Sequence, residues 1–283
     1  MLIARTVTEL RQHLSAFKQP AFVPTMGNLH EGHLDLMRMA KGLGDISVAS
    51  IFVNRLQFLP NEDFGSYPRT FDSDCDKLRS VGCDVLFAPD EAELYPQPQT
   101  FKVLPDPSLA DILEGQFRPG FFTGVCTVVL KLFHSVFAHS GGVAVFGQKD
   151  FQQQLILRRM MEQLAMPVEI ITGATTRAPD GLALSSRNGY LSPDERAEAV
   201  HLSIALKQLA QAVRGAVHAG HFDVAAAENA AIDALRNRGW VPDYISLRHP
   251  HDLSPVTAIG TEPMVVLGAA RLGKTRLIDN LVV

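Results

Sequence analysis

Ile46-Ser47-Val48-Ala49-Ser50-Ile51-Phe52-Val53 is a run without a single charge, rich in β-branched residues. Apolar and polar positions do not alternate along it, as they would on a strand with one wet face. Such a run suits a strand buried on both faces, the situation inside a parallel sheet. Working outward, Ala21 to Pro24 reads as a short apolar strand before it, and the N-terminal residues as a short strand and a helix. Leu34 to Lys41 lies between as a helix, ended by Gly42 and Gly44. On the other side come a helix over Asp72 to Val81, a strand over Asp84 to Ala88 and a long apolar helix over Gly124 to Ala138. Then follow a strand over Val143 to Gly147, a helix over Phe151 to Leu164 and a strand over Val168 to Thr172. Repeated strand–helix order predicts an α/β domain: a parallel sheet covered by helices on both faces.

After Gly173 the texture changes. TTRAPDGLALSSRNGY is rich in Thr, Ser, Gly and Asn and reads as a long loop. Ser192-Pro193-Asp194-Glu195 opens a helix, with Ser192 as cap, Pro193 in the first turn and Glu195 closing a capping box. An Ala-rich helix to about Val217 and a second from Asp223 to Arg238 follow. Strands are expected over Tyr244 to Arg248 and Met264 to Ala269. The division expected is therefore a first domain over residues 1–175 and a smaller α+β domain over 176–283.

Composition narrows the function. The 283 residues are 46% hydrophobic and 20% charged, with a formal net charge of -4. No basic footprint points to nucleic acid. No apolar run approaches the ~20 residues of a membrane span; Phe121 to Ala138 is interrupted by Lys131 and His134. The N-terminus lacks the layout of a signal peptide. Cys75, Cys83 and Cys126 form neither a disulfide framework nor a zinc pattern, so reduced thiols in the cytoplasm are expected.

Ligands of open parallel sheets bind beyond the carboxyl ends of the strands. Four segments in such places are chemically unusual. Met26-Gly27-Asn28-Leu29-His30-Glu31-Gly32-His33 follows a strand and opens a helix. Free N–H groups and the helix dipole favour an anion there, and the two imidazoles can donate to phosphate oxygens. A capping histidine or a metal pair are the plainer alternatives, but a zinc-protease helix needs its histidines four apart. Asn54 and Gln57 follow the most buried strand, where neutral amides can grip hydroxyls and carboxylates. Gly147-Gln148-Lys149-Asp150 joins another strand to a helix. Lys149 offers a compact positive charge, Asp150 could cap the helix or help hold a metal, and Gln153 lies one turn on. Leu184-Ser185-Ser186-Arg187 sets two hydroxyls and a guanidinium in a loop able to clamp an oxyanion. The Walker-type G-x-x-x-x-G-K-[ST] loop is lacking, and no covalent nucleophile suggests itself.

At these residues the sequence resembles the pantothenate synthetase family. The likeness runs from PTMGNLHEGH through NEDFGSYPRT, FGQKDFQQ and DGLALSSRNGYLSPDER to GKTRLIDN. H-x-G-H alone would indicate only the broader nucleotidyltransferase superfamily. The resemblance implies a Rossmann-like first domain, a C-terminal lid domain, a cytoplasmic homodimer and a two-step ligation using ATP and Mg²⁺. Pantoate is first activated as pantoyl adenylate, and β-alanine then displaces AMP. Carried over, Met26 to His33, Gly147 to Asp150, Thr176 and Leu184 to Arg187 would bind ATP. His33 would be the proton donor, His30 and Lys149 its catalytic partners, and charge stabilisation by the two histidines is expected to matter more than proton transfer. Gln57, Gln153 and Asn54 would hold pantoate, with Tyr67 nearby, and Gln57 would also meet β-alanine. Mg²⁺ would be held mainly by the ATP phosphates, with Asp150 the candidate protein ligand. The sequence departs from the family at Arg55, where proline is usual, at Phe121, where histidine is usual, and at Leu184, where methionine is common. Another adenylyltransferase, a silent nucleotide-binding protein and a metal hydrolase stay as alternatives.

Overall fold

The computed structural model describes residues 1–60, 62–217 and 222–283. The chain divides into two compact units. One comprises Met1–Gln148 with Gln153–Ala174, the other Lys149–Gln152 with Thr175–Val283. Among the described residues, no helix is long and apolar enough to cross a membrane.

The first unit is built on β1 (Leu2–Ala4), α1 (Val7–Leu14), β2 (Pro20–Thr25), α2 (Glu31–Lys41), β3 (Ile46–Ile51), α3 (Phe71–Ser80) and β4 (Val85–Phe87). Three helical turns follow, α4 (Glu91–Leu94), α5 (Pro107–Ala110) and α6 (Glu114–Phe117). It closes with α7 (Phe121–Val136), β5 (Gly142–Gly147), α8 (Phe151–Gln163) and β6 (Val168–Gly173). The six strands form a parallel sheet in the order β1-β4-β3-β2-β5-β6. As the uncharged run predicts, Ile46 to Ser50 are buried.

The order reverses at β2. Strands β3 and β4 extend from one side of it, β5 and β6 from the other. β2 and β5 pair through Ala21–Val143 and Phe22–Ala144, and this pairing stops before either strand ends. Their carboxyl ends are therefore not laced together, which is the crevice that open α/β sheets use for ligands. The loops after β2 and β5 are two of the four segments singled out above.

The second unit carries α9 (Pro193–Glu198), α10 (Val200–Ala216) and α11 (Val224–Arg236), then an antiparallel sheet β7 (Val241–Arg248), β8 (Val265–Leu272) and β9 (Thr275–Val282). The capping box at Ser192 and Glu195 forms as expected. Two points differ from the sequence expectation. The Ala-rich helix is broken at Ala199 into α9 and α10. A third strand, β9, follows a tight turn in which Gly273 takes a φ of 55°. Leu202, Leu206, Leu209 and Val213 of α10 share a core with Val266 and Ala270 of β8.

Candidate active site

In the first unit, Met26 to His30 form the turn between β2 and α2. Gly27 and Asn28 both take left-handed φ values, 82° and 50°. A Cβ on Gly27 would stand 3.1 Å from the Asp74 carboxylate and from Ile51, so a larger residue would meet both strain and crowding. What holds this turn is Asp74, wholly buried on α3. Its carboxylate accepts the N–H groups of Asn28 and Leu29, both at 2.8 Å, and the Thr70 hydroxyl at 3.1 Å. Lys77, one turn on, donates to the Leu29 carbonyl at 2.7 Å. Thr25 completes the frame, its hydroxyl donating to Ser50 O at 2.6 Å and accepting from Gly27 N at 3.2 Å.

His30 is the N-cap of α2, and His33 lies one turn inside. Their rings are 4.1 Å apart between centroids. The His30 N–H donates to His33 Nδ1 at 3.3 Å. Accepting at Nδ1 puts the proton of a neutral ring on Nε2, so His33 offers a donor there. Glu31 is exposed and pairs with Arg38 at 2.6 Å, while Gly32 sits in the first turn beside it.

Asn54 and Gln57 begin and end a short 3₁₀ turn after β3. Asn54 is only 1% exposed and all its side-chain bonding positions are engaged. Its amide donates to Gln57 Oε1 at 3.0 Å and Gly124 O at 3.1 Å, and accepts from Tyr95 Oη at 2.9 Å and Leu56 N at 3.4 Å. It thus holds Gln57 within the protein. Gln57 Nε2 in turn meets Met26 Sδ at 3.2 Å, joining the amide pair to the turn after β2. Arg118 clasps this segment, with Nε at 2.5 Å and Nη2 at 2.7 Å from the Glu62 carboxylate and Nη2 at 3.2 Å from Gln57 O.

Two of the departures have clear surroundings here. Arg55 needs no proline's stiffness, because Asn54 caps the turn; its guanidinium lies over the Phe64 ring and pairs with Glu91 at 3.1 Å. Phe121 lies 3.7 Å under the Arg118 guanidinium, stacked against it. Tyr67 is buried and packs edge-on against Phe58. Asn61 lies outside the described residues.

Gly147 ends β5, and Gln154 of α8 donates to its carbonyl and to Phe146 O. Gln153, beside it, is half-buried. Gln148, Lys149 and Asp150 form a 3₁₀ turn, in which Asp150 is exposed.

In the second unit, Thr176 O accepts from Leu184 N at 3.0 Å, and Arg177 bridges to Ala183. Ser185 caps a 3₁₀ turn over Ser186–Tyr190 by accepting from Arg187 N at 3.3 Å. Leu184, Ser185, Ser186 and Arg187 are all half-buried. β9 supplies two residues the sequence did not assign. Asp279 takes both arms of Arg177, at 2.7 and 2.9 Å, and Asn280 donates to the Lys149 carbonyl at 2.8 Å. Lys149, Ser185, Asn188 and Asp279 line one small cavity. Asn188 Oδ1 and Thr175 Oγ1 are buried there or nearby in sequence with no hydrogen-bond partner. Such orphaned atoms are uncommon and suit a place that takes up water or a polar ligand.

The three cysteines are buried and free. Burial pushes the Cys83 and Cys126 thiols up to about 12, which removes them as nucleophiles. Among the described residues no three His, Cys, Asp or Glu side chains gather as a metal site requires.

This arrangement matches known proteins closely. A family model described as pantoate-beta-alanine ligase matches residues 2–282.

The chain belongs to the pantoate-beta-alanine ligase family.

It is 64% identical to the pantothenate synthetase of Verminephrobacter eiseniae and 62% identical to that of Paracidovorax citrulli, each over 99% of both chains. Among solved structures it is similar to pantothenate synthetase from Thermus thermophilus, with a TM-score of 0.89 and 43% identity over 99% of both chains. It is also similar to the pantoate-beta-alanine ligase of Francisella tularensis, with a TM-score of 0.78 and 31% identity over 100% of this chain and 97% of that one. That structure is complexed with beta-gamma ATP and beta-alanine. As a member of this family, the chain is a pantoate–β-alanine ligase with a Rossmann-like first unit.

Proposed function

We propose that the ligation runs in two steps over the residues described above. The pantoate carboxylate attacks the α-phosphorus of ATP, the bond to pyrophosphate breaks, and pantoyl adenylate remains. The amine of β-alanine then attacks the acyl carbon, AMP departs, and the amine proton is lost to solvent. The carboxylate needs no base in the first step, so the demand on the protein is charge stabilisation. His33 Nε2 and His30 meet that demand at the turn after β2, with Lys149, Ser185, Ser186 and Arg187 binding phosphate oxygens. Gly147, Gln148 and the backbone of Thr176 and Leu184 contribute to the same nucleotide. Gln57 and Gln153 hold pantoate, Gln57 borders β-alanine, and Asn54 acts by holding Gln57. The observation that carries this is the contact of Gln57 Nε2 with Met26 Sδ, because it joins an acid-binding amide to the nucleotide-binding turn.

Mg²⁺ fits as an ion carried by the nucleotide. Magnesium commonly takes one or two carboxylates and the substrate phosphates rather than a full protein cage, and Asp150 offers one exposed carboxylate. When bound, the ion neutralises the phosphates. The reading includes a cytoplasmic homodimer, and the exposure of Phe101 (88%) and Leu104 (78%) supports a surface for a second copy.

The test is AMP and pyrophosphate release from ATP, Mg²⁺ and pantoate, with and without β-alanine. Stoichiometric AMP and pantothenate with all substrates present is expected. Consumption of ATP with another acid instead of pantoate would overturn the assignment of the acid site.

A further inference from the structure

An amide side chain can present either end to a neighbour, so its polarity has to come from somewhere. At Asn54 it comes from the backbone. The Leu56 N–H can only donate and the Gly124 carbonyl can only accept. Asn54 therefore cannot be flipped: Oδ1 faces Leu56 and Nδ2 faces Gly124. The same Nδ2 also reaches Gln57, which must answer with Oε1. That leaves Gln57 Nε2 pointing the other way, where its present acceptor is the Met26 thioether. Sulfur is a poor acceptor, and a ligand oxygen would replace it readily.

Tyr95 stands behind this chain. Its hydroxyl, with one proton to give, donates to Asn54 Oδ1 at 2.9 Å. The Leu56 bond to the same oxygen is long, 3.4 Å, so the phenol is the stronger anchor. The ring is held by Phe52, 5.9 Å between centroids, and by Lys131 Nζ, 4.6 Å above it. Burial, assisted by Glu91, drives the Tyr95 hydroxyl upward from its ordinary value, so it stays a donor throughout the working range. Gly124 lets α7 come this close, since a Cβ there would collide with the Leu56 carbonyl.

We propose that Tyr95 is a positioning residue for the ligation: it holds in place Asn54, whose backbone-set polarity commits Gln57 to donating, so that the atom Gln57 meets on the acid substrate is an oxygen acceptor of the carboxylate or the acyl group. This rests on Gln57 lying in the pantoate site.

The experiment measures KM for pantoate and for ATP, kcat and melting temperature in wild type, Tyr95→Phe, Gln57→Ala, Gln57→Glu and the double variant Tyr95→Phe/Gln57→Ala. Loss of one hydrogen bond in the chain should raise the pantoate KM of Tyr95→Phe roughly 3- to 10-fold, with the ATP KM unchanged. In the Gln57→Ala background the same substitution should add nothing, because the two act through one interaction. Gln57→Glu should be worse than Gln57→Ala, since its outward oxygen repels the acid it must receive. An unchanged pantoate KM in Tyr95→Phe, or an equal effect in both backgrounds, overturns the relay. A Gln57→Glu enzyme with wild-type pantoate KM overturns the donor polarity, and this arm stands even if Tyr95→Phe does not fold. Wild-type enzyme that releases no pyrophosphate with pantoate would instead remove the acid-site assignment itself.

Discussion

Two stretches carry most of the phosphate-binding chemistry in the proposed function, and they are held in opposite ways. Met26 to His33 takes its anchors from far along the chain. Asp74 and Lys77 reach it across 45 to 48 residues of sequence, and the bonds land on backbone groups. Ser185 to Asn188 is folded by its neighbours. Ser185 accepts from Arg187 N two residues on, and Asn188 Nδ2 donates to Ala183 O at 3.1 Å, five residues back. A buried carboxylate under two N–H groups makes the first stretch rigid, with its donors aimed before any ligand arrives. Longer, neutral bonds between residues close in sequence hold the half-buried second stretch more lightly. The contrast teaches a division of labour. Donors that must stabilise a transition state gain from being fixed in advance, whereas a turn that closes on a substrate gains from being adjustable.

The strongest way to break this contrast is Asp74→Ala. It leaves the buried Leu29 N–H unpaired, at about 1–3 kcal/mol, and the half-buried Asn28 N–H with it, and frees the histidine turn. Pyrophosphate release should fall at least as far as in His33→Ala, for which ~10²–10³-fold is expected. Of these two, only Asp74→Ala should also lower the melting temperature. If it lost stability yet kept its rate, the turn would not need fixing in advance.

Next in size is Arg187→Ala. Loss of a charged hydrogen bond to phosphate should raise the ATP KM roughly 10-fold or more, with the pantoate KM unchanged and a smaller fall in melting temperature than in Asp74→Ala. A fall in melting temperature comparable to Asp74→Ala would show that the second stretch is as structural as the first.

The smallest effect sharpens the picture of the second unit. Glu198 accepts from Arg238 through two bonds of 2.7 Å and from Trp240 Nε1 at 3.0 Å. The Arg238 bonds foremost, with Trp240 beside them, hold its carboxyl below the ordinary value. A depressed folded pKa adds stability above the unfolded value, about 4.3, and that stability is lost as pH falls through the folded value. Melting curves should therefore separate wild type from Glu198→Gln at neutral pH and converge below about pH 4. A gap that persisted in acid would mean that charge is not what Glu198 contributes.

Much of this was legible in residue order. The strand–helix alternation, the uncharged core strand and the capping box at Ser192 follow from patterns a few residues long. So do the positions of the stretches around His30 and Lys149, because they stand where strands end, and that of Ser186, because Thr, Ser, Gly and Asn crowd the loop that holds it. β9 was harder to read. Asp279 and Asn280 are buried polar residues that interrupt its apolar alternation, although Gly273-Lys274 between two runs has the form of a two-residue hairpin turn. Asp74 left one clue, a charge beside Cys75 and Leu78 on the buried face of α3.

Residue order alone yields the α/β succession of elements and the family. Periodicity, turn residues and motif spacing are local properties, and local properties can be read along one chain. Only the tertiary structure decided that Asp74 lies under the amides of Asn28 and Leu29, that Asn54 is an internal strut, and that Tyr95 stands behind it. Each of those depends on which distant segments meet, and whether a buried polar group is a ligand or a support depends on whether its hydrogen bonds are already spent inside the protein.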